Sequence, residues 1–150
     1  MNPEQRPYLV ERSPGYFEYQ LPVSVKLVID LAGRIPLLMN ERDEWELPGG
    51  KLEVGETPES TAVREAQEEL DLEPERLDEP TIIDSWVYEI FPQRHVFVVS
   101  YGSEYRGLRD PRLSHEHKKL GVFEYQEINT LKMPSHYKDT IARWKRHLSR

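Results

Sequence analysis

The chain has 150 residues, of which 37% are hydrophobic and 31% charged, so it is long enough for one packed domain spanning residues 1–150. No apolar run approaches the roughly 20 residues that a membrane-spanning helix needs, and the lack of cysteine excludes disulfides, thiolate zinc sites and a cysteine nucleophile. The formal net charge of −7 argues against a face for duplex DNA but allows small polyphosphates bound through a multivalent cation.

The N-terminal segment combines prolines and tyrosines without a clear period. Its first eight residues lack the basic patch and apolar stretch of a signal peptide, so we expect a cytoplasmic protein. Residues 1–20 are predicted to form an arm or an edge strand. This arm is a candidate for contacts with a second copy of the chain, as in a homodimer.

Five runs rich in β-branched and aromatic residues predict strands. The first two, Val23–Asp30 and residues 35–39, are separated by a turn that contains Gly33. Two more, at 81–90 and 95–101, form a predicted hairpin, and a short last strand follows at 120–125. The polar stretch 102–118 between these last strands is predicted to be a long surface loop.

Two helices complete the predicted elements. Thr57 is a good N-cap and Pro58 suits a first helical position, so the first helix is placed at about 58–70. Ser135 is the predicted cap of the second helix, whose apolar residues follow helical spacing up to Leu148. Strands on both sides of a helix, with another helix at the end, predict an α/β fold with a mixed sheet between helices, either an α/β/α sandwich or an α+β arrangement.

The first helix gathers three carboxylates on one side. Glu65, Glu68 and Glu69 fall within an arc of roughly 100°, next to the apolar stripe. Like charges at this spacing destabilise a free helix by about 0.2–0.5 kcal/mol per pair, and Arg64 offsets only part of this repulsion. A hard divalent cation would offset the rest, although glutamates on a helix are also common as a solvated face.

The segment from Gly50 to Leu72 resembles the Nudix box, G-x5-E-x7-R-E-U-x-E-E-x-G-U, where U is aliphatic. Gly50, Glu56, Arg64 and the three helix glutamates all stand at the expected spacing. The one departure is Asp71, which replaces the usual glycine after the helix. Aspartate tolerates the left-handed conformation better than most residues, so we expect a slightly different helix exit and intact chemistry.

The resemblance implies a fold, a cofactor and a set of roles. The family fold is an α/β/α sandwich, and the metal is Mg²⁺, or Mn²⁺ in its place. Glu65, Glu68 and Glu69 would be catalytic metal ligands, and a backbone carbonyl of Gly49 or Gly50 would complete the coordination. Arg64 would orient the glutamates through salt bridges, and Glu56 would pair within the motif.

Roles for residues outside the Nudix box have less support from the sequence pattern. A carboxylate must remove a proton from the attacking water, and the resemblance leaves a helix glutamate and Glu116 as alternatives for this base. Trp45, Trp86, Tyr88 and Phe91 are candidates for stacking on a nucleobase, although most aromatic residues pack in cores. Arg94 is a candidate for contacting phosphate. The predicted ligand is a small-molecule nucleotide.

The sequence therefore predicts a metal-dependent hydrolase that cleaves a pyrophosphate bond in a nucleoside triphosphate, a nucleotide sugar or a similar compound. One alternative is a catalytically silent domain that binds a nucleotide as a sensor, but such a domain is expected to lose glutamates from the motif. An isoprenoid diphosphate isomerase would need an active-site cysteine, which this chain lacks. A hydrolase of mRNA caps or dinucleoside polyphosphates stays open.

Overall fold

The computed structural model describes residues 8–114 and 119–150. Within these ranges the chain forms strands, two α-helices and two short 3-10 helices. Their order is β1 (Leu9–Ser13), β2 (Tyr16–Tyr19), β3 (Val23–Asp30), β4 (Arg34–Met39), β5 (Trp45–Glu46), β6 (Gly49–Lys51), α1 (Pro58–Leu70), a 3-10 helix (Pro74–Arg76), β7 (Thr81–Phe91), β8 (Arg94–Glu104), β9 (Lys119–Glu124), a 3-10 helix (Tyr125–Thr130) and α2 (Ser135–Leu148). No helix in the described ranges is long and apolar enough to cross a membrane.

The main sheet is mixed, as predicted. Its strand order is β6-β3-β8-β7, in which β3 runs parallel to β8 while β6 and β7 pair antiparallel with their neighbours. A second, antiparallel sheet has the order β5-β4-β9. The parallel pair needs a long crossover because its two strands start at the same edge, and α1 and β7 lie within that connection.

Both faces of β3 are buried, and they contact different helices. Val25, Leu27 and Ile29 share a core with the apolar residues of α1, whereas Val28 shares a second core with α2. Alternate residues of a strand point to opposite faces, so the main sheet lies between the two helices. The predicted α/β/α sandwich is therefore confirmed.

Helix α1 begins and ends at the predicted residues. The Thr57 side chain accepts a hydrogen bond from the Ser60 backbone N–H, and Pro58 occupies the first turn. At the other end, Asp71 adopts the left-handed conformation with φ 57°, which is the conformation expected of the family's glycine. The helix that presents the three glutamates is thus fixed at both termini by local sequence.

Strand β8 extends three residues beyond its predicted end at residue 101. Glycine and serine suggested a loop from Gly102 onward, yet both residues are buried within the strand. A Cβ on Gly102 would lie 2.2 Å from the Trp144 ring, so the glycine is needed for close packing of α2 and does not mark a turn. At α2, the predicted cap Ser135 is instead the first helical residue, after Pro134.

The N-terminal segment contains a β-hairpin of its own. Within the described ranges, strands β1 and β2 pair only with each other, in a separate two-stranded sheet. Just before the hairpin, the Tyr8 hydroxyl accepts a hydrogen bond of 3.1 Å from the backbone N–H of His95. The side chain of Tyr19 lies 3.3 Å from Nδ1 of the same histidine. The hairpin is thus attached to the start of β8.

Candidate active site

The predicted loop between Trp45 and Gly50 contains two short strands, β5 and β6. The second of them, β6, includes both glycines and pairs with β3. Gly49 has φ +150°, and a Cβ there would lie 2.0 Å from the Val25 carbonyl oxygen. Its backbone N–H donates a hydrogen bond of 2.6 Å to Oε1 of Glu69. The absence of a side chain at Gly49 thus lets the loop approach both β3 and the helix carboxylate.

Glu65 lies against the other glycine of the loop. A Cβ added to Gly50 would meet Oε1 of Glu65 at 2.3 Å. The side chain of Glu65 is only 14% exposed, and that of Glu68, one turn further on, is 58% exposed. Two of the three predicted metal ligands, Glu65 and Glu69, therefore converge on Gly49 and Gly50, while the third stands nearer to solvent.

Arg64 joins four carboxylates and the loop. Its Nε and Nη2 donate to the two oxygens of Glu56 at 2.7 and 3.1 Å. Its Nη1 donates to Glu65 at 2.9 Å and to Glu68 at 3.0 Å, and Nη2 also reaches the Lys51 carbonyl. A looser ion pair of 3.7 Å reaches Glu53. These contacts are the salt bridges that the box resemblance implies for Arg64 and Glu56.

The Arg64 guanidinium lowers the pKa of Glu56 to about 2 from an ordinary value of 4.5. A lowered pKa means that the ionised carboxylate stabilises the fold above pH 4.5, and this contribution is lost as the pH falls toward 2. We expect Glu56→Gln to be less stable than the parent at pH 7, with a difference that closes between pH 4.5 and 2. Urea unfolding at a series of pH values measures it.

The exposed Glu75 provides a control for this measurement, because Glu75→Gln removes the same charge from the surface. We expect that variant to follow the parent at every pH. A stability difference for Glu56→Gln that stayed constant down to pH 2 would contradict the ion pair as its source.

Glu69 is a buried carboxylate, 3% exposed, at the centre of the site. Burial raises its pKa to about 8, a rise that Lys26 and the Gly49 N–H oppose and that Glu65 and Glu46 reinforce. Burial alone would lower the pKa of Lys26, but Tyr137, Glu46, Glu69 and Glu65 raise it instead. Nζ of Lys26 donates to the Leu47 carbonyl at 3.3 Å. Acidic groups are therefore concentrated around Lys26 beside the loop.

Lys26 was not among the predicted site residues. In the sequence it stands out because it lies in the middle of the apolar run Val23–Asp30, where a charged side chain needs a buried partner. The structure supplies such partners from the loop and from α1. The partners are remote in sequence, so the run alone does not reveal them.

The donor set fits a hard divalent cation. It consists of carboxylate oxygens and loop carbonyls, which are the ligands that Mg²⁺ and Mn²⁺ prefer. The buried, incompletely compensated carboxylate of Glu69 is also one that a cation would stabilise. Among the described residues no three acidic or histidine side chains are close enough to hold an ion by themselves, and of the helix glutamates Glu65 and Glu69 are the two that contact the glycine loop. Glu65, Glu69 and backbone oxygens are thus the nearest candidates.

A cavity of about 310 Å³ opens next to the glycine loop. This volume is at the lower end of the range for small-molecule sites. Its cationic and aromatic lining residues come from six different elements or loops. They are Lys26, Arg42, Lys51, Tyr88, Arg94 and Tyr137, and Gly50 joins them at the edge.

Some of the predicted substrate-binding residues line this cavity and others do not. Arg94 lines the cavity. Trp45 is instead buried in the second core, where its ring centroid lies 4.9 Å from that of Phe123 in an edge-to-face contact. Phe91 is 56% exposed at the β7–β8 turn and does not line the cavity. Of the aromatic candidates, Tyr88 is the one on its wall. The predicted base Glu116 lies outside the described residues.

An α/β/α sandwich in which a glutamate helix meets a glycine loop at the edge of a mixed sheet is the arrangement of a Nudix domain. The family model described as NUDIX domain matches residues 19–144. The chain therefore belongs to the Nudix family, and the resemblance of its box is confirmed.

Curated relatives match a shorter segment. The chain is 47% identical over 54 residues to an 8-oxo-dGTP diphosphatase of Escherichia coli, covering 36% of this chain and 39% of that protein. It is 41% identical over 61 residues to an 8-oxo-dGTP diphosphatase of Proteus vulgaris, covering 41% and 51%. The matches thus span about half the length of these relatives or less.

Solved structures match over most of the chain. An Ap4A hydrolase of C. elegans superposes with a TM-score of 0.74 at 23% identity, covering 86% of this chain and 98% of the other. The MutT protein of Methanosarcina mazei gives a TM-score of 0.70 at 24% identity, covering 87% and 96%. At this level of identity the likeness establishes the shared fold.

Proposed function

We propose that this chain is a divalent-cation-dependent hydrolase, a single cytoplasmic Nudix domain that cleaves a pyrophosphate bond in a nucleoside diphosphate derivative. The observation that carries the proposal is the convergence of Glu65 and Glu69 on Gly49 and Gly50, at the edge of a cavity lined by four basic and two acidic residues. A substrate with negative phosphates and an attacking water would meet at that edge.

The cation would be held by Glu65, Glu68 and Glu69 together with a carbonyl of Gly49 or Gly50. Mg²⁺, or Mn²⁺ in its place, neutralises phosphate charge and lowers the pKa of a bound water. Arg64 fixes Glu65 and Glu68 from the side that faces Glu56, so the protein holds these two carboxylates in one orientation. This preorganisation is the contribution of the box arginine.

A general base is proposed either on the helix or at Glu116. Ser114, two residues before Glu116, donates its backbone N–H to the Glu69 carbonyl at 3.2 Å. This contact holds the described chain just before Glu116 against the backbone of α1, which supports keeping Glu116 as one of the two candidates. The carboxylate would take a proton from water as the water oxygen attacks phosphorus and the bridging oxygen leaves.

The cavity lining suggests how the nucleotide is held. Lys26, Arg42 and Arg94 would bind phosphate oxygens, and Tyr88 offers a ring for a nucleobase. The matched relatives make 8-oxo-dGTP and Ap4A useful first compounds for a substrate panel. Ordinary nucleoside triphosphates and nucleotide sugars complete that panel.

The proposal is tested by assaying the purified chain on this panel with Mg²⁺, with Mn²⁺ and with a chelator. Reaction in ¹⁸O-labelled water, followed by mass spectrometry, identifies the phosphorus that water attacks. We expect turnover that the chelator abolishes, with one labelled oxygen in a phosphate product. Saturable nucleotide binding without turnover on any compound would favour the silent sensor domain instead.

Arg94→Ala is expected to raise KM about tenfold while changing kcat far less, because a phosphate contact made equally in the ground state and the transition state affects mainly binding. Steady-state kinetics on the best compound of the panel measures both constants. Arg12→Ala, which removes an arginine from the N-terminal hairpin, is the matched control. A fall in kcat at unchanged KM would refute the binding role.

A further inference from the structure

A second cavity, of about 330 Å³, lies at the C-terminal end of α2. Its lining combines the start of β7 with the last turns of the helix. The lining residues are Ile82, Ile83, Arg143, Trp144, Arg146, His147 and Arg150. None of them lines the catalytic cavity, which contacts α2 at Tyr137. From Tyr137 to His147 the helix rises about 15 Å, so the two cavities are well separated.

The charge of this cavity contrasts with that of the chain. Three arginines line it, although the protein has a formal net charge of −7. Among the described residues, Arg143 has an acidic partner, Asp84 at 3.2 Å, whereas no ion pair involves Arg146 or Arg150. Two guanidinium groups are therefore left to interact with a ligand.

Arg143 is held in place by buried groups. The side chain of Asp84 is 5% exposed and also accepts a hydrogen bond of 3.0 Å from Thr140. His136 lies 3.6 Å from the same carboxylate. The Asp84 charge cancels one arginine, so the excess positive charge of the cavity comes from Arg146 and Arg150, with His147 beside them.

One lining residue is a buried aromatic ring. Trp144 is 4% exposed, and its ring packs closely against Gly102 of β8. The arginines of this helix face are therefore carried on a part of α2 that is fixed to the main sheet.

Basic residues at the end of a helix also stabilise the helix dipole, and Lys145, Arg146 and His147 do stand in the last turn. That effect requires charge alone. It does not explain a cavity formed with β7. The two explanations also differ in what they predict, since dipole stabilisation does not saturate with an added anion.

We infer that this cavity, lined by Arg143, Trp144, Arg146 and Arg150, is a second binding site for a multiply charged phosphate anion, separate from the catalytic cavity. Arginine forks match phosphate oxygens in a bidentate manner. The inference does not depend on the proposed hydrolase activity, because no residue is shared between the two cavities.

The test is a titration of the ¹⁵N-labelled full chain with inorganic pyrophosphate, followed through the assigned indole N–H signal of Trp144. We expect a saturable shift of this signal, with no comparable shift when sodium chloride is added to the same ionic strength. The paired substitution Arg146→Ala with Arg150→Ala should weaken the apparent affinity about tenfold or more. Arg76→Ala, an exposed arginine on the first 3-10 helix, is the matched control and should bind as the parent does.

Thermal unfolding of each variant checks that the fold is kept, and Arg146→Ala alone provides a milder change. The inference is overturned if pyrophosphate moves only signals around Tyr88 and Arg94, or if chloride reproduces the Trp144 shift. Equal affinities of the parent and the paired variant would also overturn it. Each of these results is independent of turnover, so failure of the hydrolase proposal would be recognised separately.

Discussion

Glu69→Gln is expected to lower kcat by about 10²- to 10⁴-fold at saturating Mg²⁺. Glutamine keeps the size of the side chain, and its amide oxygen can still accept the hydrogen bond from the Gly49 N–H. The change therefore removes a buried carboxyl that a bound cation would hold in its ionised form, while preserving the contact that closes the loop onto α1. Steady-state assays on the best substrate measure the effect.

The prediction separates chemistry from folding through two controls. Glu75→Gln removes an exposed charge of the same kind and should keep the activity of the parent. The midpoint of thermal unfolding shows whether Glu69→Gln remains folded, because Lys26 loses one of the acidic groups around it. A folded Glu69→Gln variant with the activity of the parent would remove Glu69 from the catalytic set.

Glu65→Gln tests the second carboxylate that contacts the glycine loop. This carboxylate faces Gly50 on one side and Arg64 on the other, so a loss of comparable size is expected there. If only one of the two substitutions reduced kcat, the shared ligand role proposed for the pair would have to be divided between them. Mg²⁺ titrations of each variant distinguish weaker ion binding from slower chemistry.

Helix α1 could be predicted to the residue because its signals are local. Thr57, Pro58 and the apolar stripe act within a few residues of one another, and Asp71 takes the left-handed conformation directly after the helix. The mixed sheet between helices also followed from the order of strand and helix signals. Fold class depends on that order more than on any single contact.

The residues that line the cavity beside the glycine loop could not be predicted in the same way. Lys26, Tyr88, Arg94 and Tyr137 come from β3, β7, β8 and α2, and their meeting depends on the parallel register of β3 with β8. The sequence of a short segment does not show whether an aromatic side chain faces the core or the cavity. Trp45 accordingly proved to be a core residue, whereas Tyr88 lines the cavity.

The strand end of β8 shows a related limit. Gly102 suggested a turn, since glycine is common in turns, but its neighbour is the ring of Trp144 from a helix about forty residues later. Glycine serves both purposes, and only the tertiary contact distinguishes them. The same ambiguity applies to the glycines of the active-site loop.

Gly49→Ala is expected to destabilise the fold by about 3 kcal/mol, which lowers the unfolding midpoint by about 6–12 °C for a chain of this size. The added Cβ would lie 2.0 Å from the Val25 carbonyl oxygen and 2.9 Å from Cα of Lys26. Both are backbone atoms of the central strand β3, which cannot turn aside as a side chain can. Differential scanning calorimetry or urea unfolding measures the loss.

Two matched alanine substitutions separate the clash from the other effects of changing a glycine. Gly55→Ala has φ +87° but no atom within 4 Å of its new Cβ, so it shows conformational strain alone, about 1 kcal/mol. At Gly50 the nearest atom belongs to the flexible end of Glu65. Gly50→Ala should therefore displace this carboxylate, which is proposed as a metal ligand, and reduce kcat with a smaller loss of stability. If Gly49→Ala were no less stable than Gly55→Ala, close contact of the loop with β3 could not be the reason for its first glycine.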